Sequence, residues 1–133
     1  MDDCIFCKIV RGEVPSYKVY EDEHTLALLD IFPACEYHTL VIPKKHCVNM
    51  FDIPPETAAH VMHTVKKVVA LYESKLGLND VHLVSNSGAK AGQTVFHLHF
   101  HIVPYFNDSK LPIPWPEHVE LREKFPKMLE GLK

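Results

Sequence analysis

Between Pro54 and Leu76 the apolar residues take up a helical spacing. Ala58, Val61, Met62, Val65, Val69, Tyr72 and Leu76 recur at three- and four-residue steps, with Lys66, Lys67 and Glu73 between them, which is the period of a helix with one buried face. Pro54-Pro55 at the first turn and Gly77 just past the end match the usual start and stop preferences. On either side of this segment the chain reads as short strands: Tyr17 to Tyr20 and Thr25 to Asp30 joined by the polar turn Glu21-Asp22-Glu23-His24, then Leu40-Val41-Ile42 stopped by Pro43, and later Val81 to Asn86 and Thr94 to Pro104. Strands, one long helix and then more strands predict an α+β fold with a mostly antiparallel five-stranded sheet. Beyond it, Pro104, Pro112, Pro114 and Pro116 predict an irregular run, followed by a short C-terminal helix from about Glu117 with Leu121, Phe125, Met128 and Leu129 as its apolar stripe.

At 133 residues the chain fits a single domain, 1–133, with no repeat and no low-complexity linker. A domain of this size buries roughly two-thirds of its unfolded-chain surface and folds without disulfide staples. The net charge of -3, with no basic arm to offset it, argues against a protein that wraps nucleic acid or sits on an anionic membrane. The start, Met1-Asp2-Asp3-Cys4, is acidic and lacks an apolar segment, and no stretch reaches the length of about 20 residues that spans a bilayer. A cytoplasmic protein is expected. In a reducing compartment Cys4-Ile5-Phe6-Cys7 reads as a metal or redox pair, whereas Cys35 and Cys47 read as small packing residues.

Ten histidines are many for this chain, and His38, His46, His97, His99 and His101 lie in or beside apolar runs. On a strand from Thr94 to Pro104, Phe96, Leu98, Phe100 and Ile102 would form one face and His97, His99 and His101 the other, at steps of about 6.6 Å. A single histidine in such a place is ordinarily a packed or surface residue. Three in alternation opposite four large apolar residues point to chemistry. Two readings stay open: an open three-ligand zinc site, or an imidazole nucleophile whose neighbours position an anion. The loop Ser87-Gly88-Ala89-Lys90-Ala91-Gly92 leads directly into this strand, and its glycines allow backbone N–H groups to turn toward a phosphate, with Gln93 and Thr94 as further donors. That junction tilts the reading toward phosphate chemistry.

His97-Leu98-His99-Phe100-His101-Ile102-Val103 resembles the His-φ-His-φ-His-φ-φ motif of the histidine triad (HIT) family of nucleotidyl hydrolases and transferases. Ala91-Gly92-Gln93-Thr94-Val95, Cys4-Ile5-Phe6-Cys7-Lys8-Ile9-Val10 and His38-Thr39-Leu40-Val41-Ile42-Pro43-Lys44-Lys45-His46 match in the same order, so the resemblance covers Cys4 to Pro104. It implies a HIT fold and a hydrolase that cleaves the α-phosphate bond of purine nucleoside monophosphate conjugates. By that resemblance His99 is the nucleophile, His101 binds a non-bridging phosphate oxygen, and Thr94 and Gln93 lie near the phosphate and leaving group with Asn86 across from them. Asp30 would accept the ribose hydroxyls, Phe6, Ile9, Leu28 and Ile31 would hold the base, and His38 would support the triad. Cys4, Cys7, His46 and His97 match the ligands of a structural zinc site in zinc-carrying members. A homodimer, joined through the long helix and fifth-strand region, is also implied. Where members commonly carry proline or glycine just before His38, this chain reads Ala34-Cys35-Glu36-Tyr37, so the loop over the ribose is expected to differ in shape. His24, His60, His63, His82 and His118 carry no motif and are assigned to surface or packing. A nucleotide-binding module with little turnover shares every one of these motifs.

Overall fold

The computed structural model describes residues 3–104 and 115–133. Strands β1 (Lys18–Glu21), β2 (Thr25–Leu29), β3 (Thr39–Pro43), β4 (Val81–Val84) and β5 (Phe100–Pro104) form one sheet in the order β1-β2-β3-β5-β4, with every neighbouring pair antiparallel. Helices α1 (Ile5–Val10), α2 (Pro55–Leu76) and α3 (Phe125–Glu130) complete the α+β architecture. Among the described residues no helix is long and apolar enough to cross a membrane.

Both faces of the sheet are covered. Ala27 and Leu29 join Val41 and Ile102 beneath Val61, Val65, Val68 and Tyr72 of α2, with Phe125 and Met128 of α3 in the same core. Leu26, Leu28, Leu40 and Ile42 point the other way and meet Phe6 and Ile9 of α1. Successive strand residues alternate between faces, so β2 is buried at all five positions and reads as an unbroken apolar run.

The helical period over Pro55–Leu76 is right, but the buried stripe is turned from the expected one. Met62 is 47% exposed, whereas Thr57, Thr64 and Val68 are buried. Thr64 can face the sheet because its hydroxyl shares a hydrogen bond with the Thr25 hydroxyl on β2. Gly77 ends α2 in the left-handed region at φ 70°, its N–H donating to the Glu73 carbonyl, a position that costs a residue with a Cβ.

The largest departure is at the fifth strand, which begins at Phe100 and not at Thr94. β3 pairs with it only through Thr39↔Ile102, Leu40↔His101 and Val41↔Phe100. The segment before it leaves the ladder: Leu98 N–H donates to the Cys47 carbonyl at 2.7 Å, and the Pro43 carbonyl accepts from His97 at 2.8 Å. The expected apolar face therefore holds only in part, since Leu98 and Ile102 are buried but Phe96 is 49% exposed. α1 has no counterpart in the sequence reading, because six residues are too few to show a period. The C-terminal helix is preceded by a 3-10 turn over Val119–Lys124, and the expected irregular run through Pro112 and Pro114 lies outside the described residues.

Candidate functional site

The site is assembled on the α1 face of the sheet. Cys4 is the N-cap of α1, its thiol accepting from the Cys7 N–H at 3.4 Å, and one helical turn then sets Cys7 beside it. The turn after β3 brings in His46, and the bent segment before β5 brings in His97. Cys4 Sγ lies 3.4 Å and Cys7 Sγ 3.5 Å from His97 Nδ1, and Cys7 Sγ lies 3.3 Å from His46 Nδ1. All four candidate ligand atoms fall within 4.8 Å of one another. A tetrahedron with metal–sulfur distances of about 2.3 Å and metal–nitrogen distances of about 2.0–2.1 Å has sulfur–nitrogen edges of about 3.6 Å, so the residues fit a zinc ion. His97 Nε2 faces a carbonyl, which can only accept, so that nitrogen carries the proton and Nδ1 offers its lone pair to the cysteines. Burial and the adjacent Cys4 raise the Cys7 thiol, and a cation between the sulfurs would reverse that.

The same donor-and-acceptor logic settles the other imidazoles. His99 Nδ1 lies 2.8 Å from the His97 carbonyl, so the proton sits there and Nε2 presents a lone pair. His38 Nδ1 accepts the Ala34 N–H at 2.9 Å, so the proton of His38 is on Nε2, which lies 2.9 Å from His101 Nδ1. His101 Nδ1 must then accept, and its own proton is on Nε2. Two neighbouring rings, with centroids 5.0 Å apart, thus have opposite polarity: His99 offers an electron pair and His101 offers an N–H. Burial lowers His99 and pushes His101 down to about 3 and His38 to about 4, so all three are neutral at pH 7. Asp30, His38 and His101 also cluster closely, but the two nitrogens of His38 are already committed, one as acceptor and one as donor. Within that trio His38 donates to His101, and the Asp30 carboxylate stands beside both rings, with Oδ2 3.4 Å from His38 Nε2 and 3.8 Å from His101 Nδ1.

A cavity of about 370 Å³ opens in front of these rings, within the range of small-molecule sites. His99, His101, Asp30, Asn86 and Thr94 line it, together with the apolar Phe6, Ile9, Leu28 and Ile31. Phe6 stands edge-on to both His97 and His99, at centroid distances of 5.7 and 5.2 Å, and so joins the cysteine–histidine cluster to the cavity wall. Asp30 Oδ1 accepts the Phe32 N–H at 2.8 Å, and Oδ2 lies 3.4 Å from His38 Nε2. Burial raises its carboxyl. Gly92, at φ 96°, lets the loop close on Asn86; a Cβ there would come within 3.3 Å of Asn86 Nδ2.

Gln93 borders the cavity beside Thr94, but the donor role expected of it is not free, since its amide is spent: Nε2 donates to the Val48 and Val95 carbonyls at 2.6 and 3.1 Å, and Oε1 accepts from the Gly88 N–H at 2.8 Å and Asn49 Nδ2 at 3.1 Å. Neither that amide nor the Gly88 N–H is left for a phosphate, so Gln93 braces the loop. His38 stays behind the wall and reaches the cavity through His101. Trp115, which the sequence reading left in an irregular tail, lines the cavity and packs edge-on against His101 and His38 at 5.1 and 5.5 Å. Ser85 was missed as well; its hydroxyl donates to the His99 carbonyl at 2.9 Å.

A family model for the HIT domain matches residues 11–108. The chain belongs to the histidine triad (HIT) family. Among HIT relatives it is 42% identical to Protein hit of Bacillus subtilis, over 90% of this chain and 83% of the relative. It is 36% identical to an adenosine 5'-monophosphoramidase of Candida albicans, over 98% of this chain and 89% of that protein. Among solved HIT structures, a zinc-bound histidine triad family protein of Mycobacterium smegmatis superposes with a TM-score of 0.83 at 38% identity, covering 98% of this chain and 94% of the other.

Proposed function

We propose that this HIT protein is a purine nucleotidyl hydrolase that cleaves the α-phosphate bond of nucleoside monophosphate conjugates, phosphoramidates or dinucleoside polyphosphates, through a nucleotidyl-His99 intermediate. The observation that carries the reading is the opposite polarity of His99 and His101 on one cavity wall. The neutral His99 Nε2 attacks phosphorus, a P–N bond forms, and the bond to the leaving group breaks with its electron pair. His101 Nε2–H meets the charge that develops on a non-bridging oxygen and is already in place to do so. Water then attacks the same phosphorus, the P–N bond to His99 breaks, and nucleoside monophosphate leaves. Thr94 and Asn86 border the leaving-group side, Asp30 takes the ribose hydroxyls, and Phe6, Ile9, Leu28 and Ile31 hold the base. The similarity to an adenosine phosphoramidase of Candida albicans favours this class of substrate.

Cys4, Cys7, His46 and His97 would hold a structural zinc, supported by the sulfur–nitrogen distances and by the zinc-bound relative. With four protein ligands such a site keeps no open position for water. The reading includes a single domain over 1–133, a cytoplasmic location and a homodimer built through α2 and the β5 region, which sedimentation would test. The central experiment is single-turnover mixing with adenosine phosphoramidate, quenched into denaturant and weighed as intact protein. A transient gain of one nucleoside monophosphate, absent from His99→Ala, is expected. Binding with no adduct and no product would replace this reading with a nucleotide-binding module.

A further inference from the structure

Tyr37, immediately before His38, has φ 62° and is the non-glycine residue with positive φ among the described residues. A side chain with a Cβ keeps such a backbone only where its surroundings over-determine it. Here they do. The ring is buried in the α2 core with its edge toward Tyr72 at 5.5 Å, its hydroxyl donates to the Met128 carbonyl at 2.9 Å, and its own carbonyl accepts the Thr39 hydroxyl at 2.7 Å. Met128 lies in the last turn of α3, where carbonyls lack helical partners. Gly131 follows, and a Cβ there would stand 3.1 Å from the Tyr37 hydroxyl. On the other side of Tyr37 the chain turns directly into His38, whose ring accepts the Ala34 N–H at Nδ1 and donates its Nε2–H to His101 Nδ1.

We propose that Tyr37 is a positioning residue: its phenol, seated on the last turn of α3, holds the left-handed backbone that aims His38 at His101, so that the C-terminal helix sets which nitrogen of His101 carries the proton. Relaxation at residue 37 turns the peptide entering His38 and frees both imidazoles to exchange tautomers. Neither Tyr37 nor His38 lines the cavity, so substrate affinity is untouched and the loss falls on kcat. The kinetic part rests on the nucleotidyl-transfer reading. The tautomer part does not.

Two variants loosen the anchor from opposite ends, Tyr37→Phe and Gly131→Ala, and Val61→Ala in α2 serves as a destabilised control. Side-chain ¹⁵N spectra of the histidines, which need no substrate, report the tautomers, and steady-state assays with adenosine phosphoramidate report kcat and KM. Expected are pure Nε2–H forms of His38 and His101 in the wild type and mixed forms in both anchor variants. In those variants kcat should fall by roughly five- to tenfold, the equivalent of one hydrogen bond, with KM within about twofold. Val61→Ala should lose thermal stability while keeping wild-type tautomers. Pure tautomers in both anchor variants, or mixing in Val61→Ala to the same degree, would overturn the proposal. Mixed tautomers with unchanged turnover would uphold the coupling and count against the nucleotidyl-transfer reading instead.

Discussion

At the scale of single residues, chemistry depends on where a few protons sit, and main-chain groups decide that. The His97 carbonyl gives His99 its free Nε2, and the Ala34 N–H, through His38, gives His101 its donor. On the proposed mechanism His99→Ala should abolish turnover while leaving nucleotide affinity within about tenfold, since a nucleophile contributes bond-making and little ground-state binding; calorimetry alongside the assay checks this. Asp30 can be probed by comparing ribose and 2′-deoxyribose substrates. The wild type should discriminate by the loss of one bond to a charged acceptor, about 1.5–3 kcal/mol, and Asp30→Asn should shrink that gap in kcat/KM. The histidine spacing was legible in the sequence, as were the apolar and polar residues that share the cavity. The proton positions were not, because the groups that dictate them are backbone atoms identical in every residue. Gln93 misled for a related reason: an amide looks like a phosphate donor in a one-dimensional reading, and only the folded loop shows it surrounded by Val48, Gly88, Asn49 and Val95.

At the scale of elements, the long helix and the alternating strands were legible, whereas the six-residue α1 and the start of β5 were not. α2 spans 22 residues, enough turns for its period to stand out, although the inward-facing Thr57 and Thr64 rotate the stripe in a way that needs the partner strand to be seen. α1 has six residues and rests on its Cys4 cap, its apolar contacts with the sheet and, in the reading proposed above, a metal. On that reading chelation should lower the melting temperature before it lowers activity, because an ion held by Cys4, Cys7, His46 and His97 would fix α1 and the segment leading to His99 without touching the reacting atoms. Cys4→Ser should weaken metal retention while the covalent adduct still forms in the cold; metal analysis and cobalt-substituted spectra would read this out. A metal held by His99 and His101 in place of the cysteines would overturn the assignment. The early start expected for β5 has the same root, since alternation persists through residues 94–99 even where the ladder is broken by contacts to Cys47 and Pro43.

At the scale of the whole molecule, the C-terminal stretch folds back over the site. His118 N–H donates to the Pro33 carbonyl at 2.6 Å, Arg122 bonds the Ile31 carbonyl and stacks on Phe32 at 4.9 Å, and Lys124 pairs with Glu36 at 3.3 Å. Trp115→Ala should open the cavity and remove the edge contacts to His101 and His38, lowering kcat/KM by about tenfold, the scale of one aromatic contact. Acid should unfold the protein through its buried imidazoles. His38 takes a proton near pH 6.5 when unfolded but only at about 4 when folded. Its contribution is thus fully present above about 6.5 and is drained as pH falls toward 4, by a few kcal/mol. Denaturant titrations at stepped pH should show that loss, and His38→Gln should flatten it. The folding-back also has a consequence for how the protein is made. A nascent chain stopped at Pro104 already carries every histidine and cysteine of the motif, yet it lacks Trp115, the Arg122 clamp and the α3 seat of Tyr37. On the proposed function, full activity would then arrive as a late event of synthesis, only after the last turn of α3 has cleared the ribosome.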